Sequence, residues 1–311
     1  MTKVFTSSME LRIEDVIERC NRTFVHIGDD FVLIKDSPIQ CPFLRIGSWQ
    51  EAWVALYLRK LQFGQFTEER QIRDAHKYVP FGATEIMTEA LKAGILDACV
   101  LVCDGAGTVI TTDPEIVQGI GGRMSGLVYT IPRQNVIQRL QEEGAIVVDP
   151  VKARIDPVQG AKRAAELYKK VAVTTTAGPL IEELAMLPEI ITFVVHTTGI
   201  TPEQASYAEK SDIVWGCASK YIRKMVGRHA LLQLGVGIPV FVLSEKGLSM
   251  IQPQITALSP ETGALLRQNE DAISSGSPHV IYHRRTSQGT SLVMEKAVLP
   301  VIRHAGPHPL L

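Results

Sequence analysis

The sequence predicts an α/β fold: a mainly parallel sheet covered by helices, built as two related Rossmann-like units behind a small N-terminal α+β appendage. Three observations carry this expectation. From Asp97 onward, short strands that are apolar along their whole length alternate with segments of helical spacing, as in a parallel sheet buried on both faces. Residues 97–131 and 211–243 read as copies, each with an Asp opening an apolar run, a Cys ending it beside Gly, a Gln near a Gly-x-Gly turn and a second apolar run. The offsets Asp97 to Asp212, Cys103 to Cys217 and Gln118 to Gln233 are 115, 114 and 115 residues. Finally, 311 residues exceed the usual single domain, which suggests an appendage over 1–47, a first unit over 48–150 and a second unit with the C-terminal tail over 151–311.

In chain order, Leu11, Ile13, Val16, Ile17 and Cys20 follow helical spacing, and apolar runs at 24–27 and 31–34 flank Gly28-Asp29-Asp30 as a hairpin. Ser48 and Glu51 have capping-box spacing, so a helix is expected over 49–61 with Trp49 and Trp53 on one face. A second helix over 82–92 is closed by Gly94. Strands are then expected at 97–103, 127–131, 145–148, 171–175, 190–196, 212–216, 239–243 and 279–282. Helices fit between most of them, with starts at Asp156-Pro157 and at Thr201-Pro202-Glu203-Gln204. The last residues, 304–311, read as a loose tail.

Composition limits the partners. With 45% hydrophobic and 21% charged residues and a formal net charge of −1, the chain has no basic stripe of the kind nucleic acid requires. The start alternates charged and apolar residues instead of giving an export signal, and no apolar run approaches the roughly 18 residues of a membrane span. A cytoplasmic location, with no membrane partner, is the resulting expectation. Five cysteines, an odd number, fit reduced thiols or metal ligands better than a secreted disulfide framework.

Ligands of open parallel sheets sit outside the carboxyl ends of strands, where loops and helix N-termini converge. Four loops qualify, at 103–113, 174–179, 196–202 and 217–220. In the first, Gly105, Gly107 and Thr108 would let the backbone approach an anion, and Asp104 would position a hydroxyl, an amine or a metal. His196 is a candidate general acid/base beside Thr197 and Thr198, while Ser219 and Lys220, with Arg223, would meet an anion in the last loop. Cys103 and Cys217, both at strand ends, are candidate nucleophiles, and with Cys41 they could hold a metal or an iron–sulfur cluster with an open coordination position. The glycine cluster around Gln118, Gly119, Gly121 and Gly122 is not a dinucleotide fingerprint, because Met124 stands where the third glycine belongs. No P-loop is present. Arg123 and Ser125 remain as a pair suited to a carboxylate or phosphate. Each of these residues also has a structural alternative, as buried thiol, tight turn or solvated cation, and no particular cofactor is indicated.

The segment CDGAGTVITTDPEIVQGIGGRMSG, together with VVHTTGI at 194–200 and CASKYIR at 217–223, resembles the methanogenesis marker protein 8 family, the DUF2099 domain of unknown function. The resemblance covers roughly residues 81–244. It implies an enzyme or accessory factor of anaerobic one-carbon, methyl-coenzyme M related metabolism, but supplies neither a reaction nor a catalytic residue set. Three functions therefore stand side by side: an enzyme binding a small anionic metabolite at the strand-end loops, a metal or iron–sulfur maturation factor using Cys41, Cys103 and Cys217, and a non-enzymatic partner of a redox complex. A homo-oligomer is compatible with each.

Overall fold

The computed structural model describes residues 12–41 and 46–301. The chain opens as a meander of β1 (Asp15–Arg19), β2 (Arg22–Ile27) and β3 (Asp30–Lys35), with Gly28 and Asp29 turning the second hairpin as expected. The helix expected through Cys20 is instead β1. Its burial alternates with period two, so Asp15, Ile17 and Arg19 point inward, and the helical spacing of Val16 and Ile17 was coincidental. Leu11 lies outside the described residues. Cys20 and Asn21, both left-handed at φ 52° and 62°, make the two-residue turn to β2, a geometry usually announced by Asn-Gly.

The helix α1 (Trp49–Phe63) begins at the predicted capping box and ends at Gly64 in the left-handed region. It buries Ala52 and Leu56 against Ile17, Phe24, Phe31 and Phe66. After α2 (Ala83–Lys92), β4 (Ala98–Cys103) turns directly into β5 (Gly107–Thr111), with Gly105 and Gly107 at φ 83° and 70°. The presumed ligand loop at 103–113 is therefore largely a hairpin. Asp113 caps α3 (Pro114–Ile116), which runs into a π-turn, Val117–Gly121, and then β6 (Leu127–Thr130), α4 (Gln134–Glu142) and β7 (Ile146–Val147).

The expected alternation follows: α5 (Pro157–Ala165) capped by Asp156, β8 (Val171–Thr175), α6 (Leu180–Ala185), β9 (Ile190–Val194), α7 (Pro202–Ala208) with the Thr201 capping box, and β10 (Ile213–Trp215). A second π-turn (Ile222–Val226) and a 3₁₀ turn (Gly227–His229) precede β11 (Leu232–Leu234) and β12 (Val240–Val242). The chain closes with α8 (Glu245–Leu258), α9 (Pro260–Gln268), α10 (Glu270–Ser274) and the hairpin β13 (His279–Thr286) and β14 (Gly289–Lys296). The tail at 304–311 lies outside the described residues.

Two sheets result. Ten strands run in the order β14-β13-β11-β12-β10-β9-β8-β4-β5-β7, and four in the order β3-β2-β1-β6. Only β4-β8-β9-β10 and the β11/β13 pair are parallel, while the remaining neighbours in the large sheet are antiparallel. The sheet is thus mixed and not mainly parallel. The difference comes from β5, β11 and β14, strands hidden in glycine-containing stretches, each of which closes an antiparallel pair. Helices do cover both faces: Cys99, Leu101 and Cys103 pack toward α2, α4 and α8, and Ala98 and Val100 pack toward α5.

The two sequence copies do not fold alike, so they give no pair of related units. Gln118 sits in a π-turn and Gln233 in β11. The second apolar run of the first copy leaves for the small sheet as β6, whereas that of the second copy, β12, pairs with β10. Strands from both sides of residue 150 share one sheet, and β6 shares the other with the N-terminal meander.

Candidate functional site at the junction of the two sheets

The carboxyl ends of β9 and β10 meet the β1–β2 turn. The ladder between β1 and β6 carries a bulge between Val16 and Ile17, and the Glu18 N–H donates to the Gly126 carbonyl at 2.8 Å. Bulges commonly re-aim side chains beside functional sites. Gly126, at φ 81°, is pressed between two partners: a Cβ there would lie 2.2 Å from the Glu18 carbonyl oxygen and 2.6 Å from Cε1 of His196. Gly199 lies equally close to the Asn21 side chain, and Thr198 Oγ1 accepts from the Ala218 N–H at 3.3 Å, which joins the loops after β9 and β10. Among the described residues six non-glycines have left-handed backbone, and four of them, Cys20, Asn21, His196 and Cys217, gather here. Strain of about 1–3 kcal/mol per residue in such conformations persists only where the surroundings enforce it, and functional sites are where it clusters.

His196 is held at both ring nitrogens. Nε2 lies 3.2 Å from Glu18 Oε2, and Nδ1 lies 3.4 Å from Ser125 Oγ. A carboxylate can only accept, so in the neutral ring Nε2 carries the proton and Nδ1 presents its lone pair to the serine hydroxyl. The same His196 hydrogen bond holds the Glu18 carboxyl below its ordinary range.

Buried positive charge gathers on the other face of β1 from Glu18 and reaches the turn before Ser125 through Arg59. Arg19 is only 7% exposed, its side chain makes no hydrogen bond or ion pair with a carboxylate among the described residues, the Cys20 and Cys41 thiols are its charge neighbours, and its Nε is buried without a partner. Arg59 donates to the Arg123 carbonyl and has no carboxylate among the described residues. Burial, with Arg19, Arg123 and Arg70 nearby, pushes it down to about 9. Arg123 stacks 3.2 Å from the Phe63 ring centroid and 4.0 Å from that of Tyr78, and pairs with Asp74 at 2.6 Å. A buried guanidinium without a counter-charge costs several kcal/mol, which an anion would offset.

Thiols border the same cations. Cys20 hydrogen-bonds with Cys41, which together with burial raises the Cys20 thiol, and Cys41 is also in electrostatic reach of Cys217. Burial pushes Cys217 up as well, although the Thr197 N–H pulls it the other way. Arg223 stands beside it, pushed down to about 10 by burial, and donates to the carbonyls of Gly216, Ser219 and Gly237. Thr197 Oγ1 donates to the Trp215 carbonyl at 2.5 Å. Ser219 Oγ accepts from the Ile222 N–H, and the Lys220 Nζ lies 5.1 Å from the Tyr221 ring centroid.

The other sequence candidates have different neighbours. Cys103 is wholly buried, its thiol donating to the Asp104 carbonyl at 3.3 Å, and burial pushes it up to about 12. Asp104 accepts from Arg70 Nε at 2.7 Å and from the Phe66 N–H at 2.6 Å, both in the interior. Arg70 also donates to the carbonyls of Gly119 and Ile120, so the pair anchors the π-turn. Gly105 N–H donates to Thr130 Oγ1, Gly107 fits against the Ala153 carbonyl, and Thr108 Oγ1 accepts from the Asp156 N–H. A Cβ on Gly119 would lie 2.2 Å from the Ile72 carbonyl oxygen, one on Gly121 would meet Thr84 and one on Gly122 would meet Gln118, whose own amide donates to buried Glu85. These glycines permit chain-on-chain packing.

Nothing local marks Glu18, Arg19, Cys20 and Arg59 as site residues, because the expected appendage and the expected helix over 49–61 give them no shared location. The available signal was the alternation in Asp15-Val-Ile-Glu-Arg19, which marks a strand with two charged residues turned inward. A surface concavity of about 530 Å³, lined by Arg22, Asp36, Ser37 and Trp49 among others, opens beside the β1–β2 turn, where Arg22 also donates to the Cys20 carbonyl. No helix among the described residues is long and apolar enough to cross a membrane.

The chain is 40% identical over 194 residues to the uncharacterized protein MJ0054 of Methanocaldococcus jannaschii, a match covering 61% of this chain and 69% of that protein. No solved structure matches it. The family model described as an uncharacterized protein conserved in archaea, DUF2099, matches residues 17–256, from the first strand through α8 and across every element of the junction, and the chain belongs to that family.

Proposed function

We propose that the protein binds a small anionic metabolite where its two sheets meet and acts on it with His196 as general acid/base. The observation that carries this is Arg19, a buried guanidinium with no counter-charge among the described residues, beside Arg59, which also lacks one. From the sequence candidates, Arg123, Ser125, Thr197, Thr198 and Cys217 border the same junction. The resemblance to methanogenesis marker protein 8 supports a role in anaerobic one-carbon metabolism, as a cytoplasmic enzyme or accessory factor.

Thermal unfolding in the presence of phosphate, pyrophosphate and small di- and tricarboxylates tests the site. A ligand at a hundred times its Kd stabilises by about 2.7 kcal/mol, and Arg19→Met should abolish that gain while leaving the ligand-free protein as stable or more so. No stabilising anion, or equal stabilisation of the variant, overturns the proposal.

The thiols favour a second reading, a metal or iron–sulfur site. Cys41 contacts Cys20 and lies in electrostatic reach of Cys217, while Cys103 faces Arg70 and Arg133; the sulfurs of Cys20, Cys41 and Cys217 do not all lie within 4.8 Å of one another, so an ion would have to draw them together. Three thiolates leave one coordination position open, and the neighbouring arginines would balance their charge. Anaerobic purification with iron and zinc analysis decides it, since a colourless, metal-free protein that takes up neither ion on reconstitution refutes it.

A further inference from the structure

We infer that Ser125, His196 and Glu18 form a nucleophile, base and acid relay, and that the site transfers the acyl group of an anionic ester or thioester through a Ser125-bound intermediate. The anionic character of the substrate rests on the reading of Arg19 given above; the relay rests on its own geometry. Three elements distant in sequence supply it: the end of β1, the loop entering β6 and the second residue past β9.

Each part of the geometry serves the relay. Glu18 accepts from Nε2 at 3.2 Å and so fixes the tautomer that leaves Nδ1 free to take a proton. Ser125 Oγ stands 3.4 Å from that nitrogen, a separation typical of nucleophile and base before substrate closes the contact. Gly126 makes the approach possible, since a side chain there would strike the imidazole. His196 itself holds a left-handed backbone, φ 59°, that turns its ring back toward the small sheet. Both Ser125 and Glu18 remain partly accessible, whereas Cys103 is sealed in the core.

The chemistry balances without any oxidant or reductant. Ser125 Oγ attacks the acyl carbon, an O–C bond forms, and the hydroxyl proton passes to Nδ1, giving an imidazolium that Glu18 stabilises from Nε2. As the tetrahedral intermediate collapses, the bond to the leaving alcohol or thiol breaks and that group takes the proton from Nδ1. Water then repeats the sequence, His196 accepts its proton, and the carboxylic acid departs as Ser125 is restored.

The test is covalent labelling of the full-length protein with a fluorophosphonate, in which Ser125 Oγ displaces fluoride to form a P–O bond. One adduct by intact mass, mapped to the peptide holding Ser125 and absent in Ser125→Ala, is expected. His196→Gln should slow labelling by about 100-fold or more, the usual contribution of a general base, and Glu18→Gln by a smaller factor. No adduct, an adduct elsewhere, or unchanged rates in both relay variants overturns the inference. Arg19→Met separates the two proposals. An uncharged probe should still label that variant, so anion binding without labelling refutes the relay alone, and labelling without anion binding supports the relay and refutes the anion site alone.

Discussion

Replacing either member of the Arg70–Asp104 pair separates a structural from a catalytic role for Asp104. Arg70→Met leaves the Asp104 carboxylate in the interior with the Phe66 N–H as its remaining hydrogen-bond partner, and Asp104→Asn leaves the Arg70 guanidinium with carbonyl partners only. Removing one partner of a buried ion pair costs about 3–5 kcal/mol, because the other charge stays behind uncompensated. An unfolding entropy of about 2.1 cal/mol/K per residue gives about 0.65 kcal/mol/K for this chain, so a loss of about 4 kcal/mol lowers Tm by about 6 °C. Circular dichroism melts of both single variants should show that fall. The double variant Arg70→Met/Asp104→Leu should lose less than the sum, since no orphan charge remains. A catalytic Asp104 would behave otherwise: Asp104→Asn would leave Tm within about 1 °C of the wild type, and that result refutes the structural assignment.

Other groups give shorter tests. Burial pushes Asp15 up, but hydrogen bonds from His26 and Arg133 outweigh it and hold the carboxyl below its unfolded value. Its stabilisation is therefore complete above about pH 4 and fades as pH falls through the folded value, so urea midpoints at pH 3 and 6 should differ less in Asp15→Asn than in the wild type. Cys103, pushed up to about 12, and the equally buried Cys99 should resist iodoacetamide at pH 8 until denaturant is added. Rapid alkylation of either in the native protein contradicts their burial. At Cys217, φ 37°, Cys217→Gly should be more stable than Cys217→Ala by about 1 kcal/mol, the reverse of the order at an ordinary position, and the usual order would show that no strain is held there.

Where a local rule sufficed, the sequence was legible. β8 was predicted to the residue, and the caps of α1, α5 and α7 stand where Ser48, Asp156 and Thr201 signalled them. Long-range pairing was not. The strand at 127–130 was evident from its own residues, but nothing local says that it leaves the large sheet to pair with β1. The repeated Cys and Gln-Gly pattern misled for the same reason, because similar local segments were recruited into different pairings.

That one misplaced strand explains why only half of the candidate site could be foreseen. His196, Ser125 and Arg123 carry signals of their own, at a strand end and in a glycine-rich turn. Glu18, the partner of His196, acquires meaning only when β6 joins β1, since the Glu18 N–H bond to Gly126 is what carries Ser125 to the imidazole. The bulge at Val16/Ile17 sits one step before this contact and shifts the register of β1 against β6. Bulge, left-handed turn and left-handed His196 thus act on one meeting point, and a fold that needed the two sheets only to pack could have met there with ordinary backbone and a paired arginine. Retaining four strained residues and an uncompensated Arg19 in the same place lowers stability, and binding or chemistry at that place is the counterweight that accounts for it.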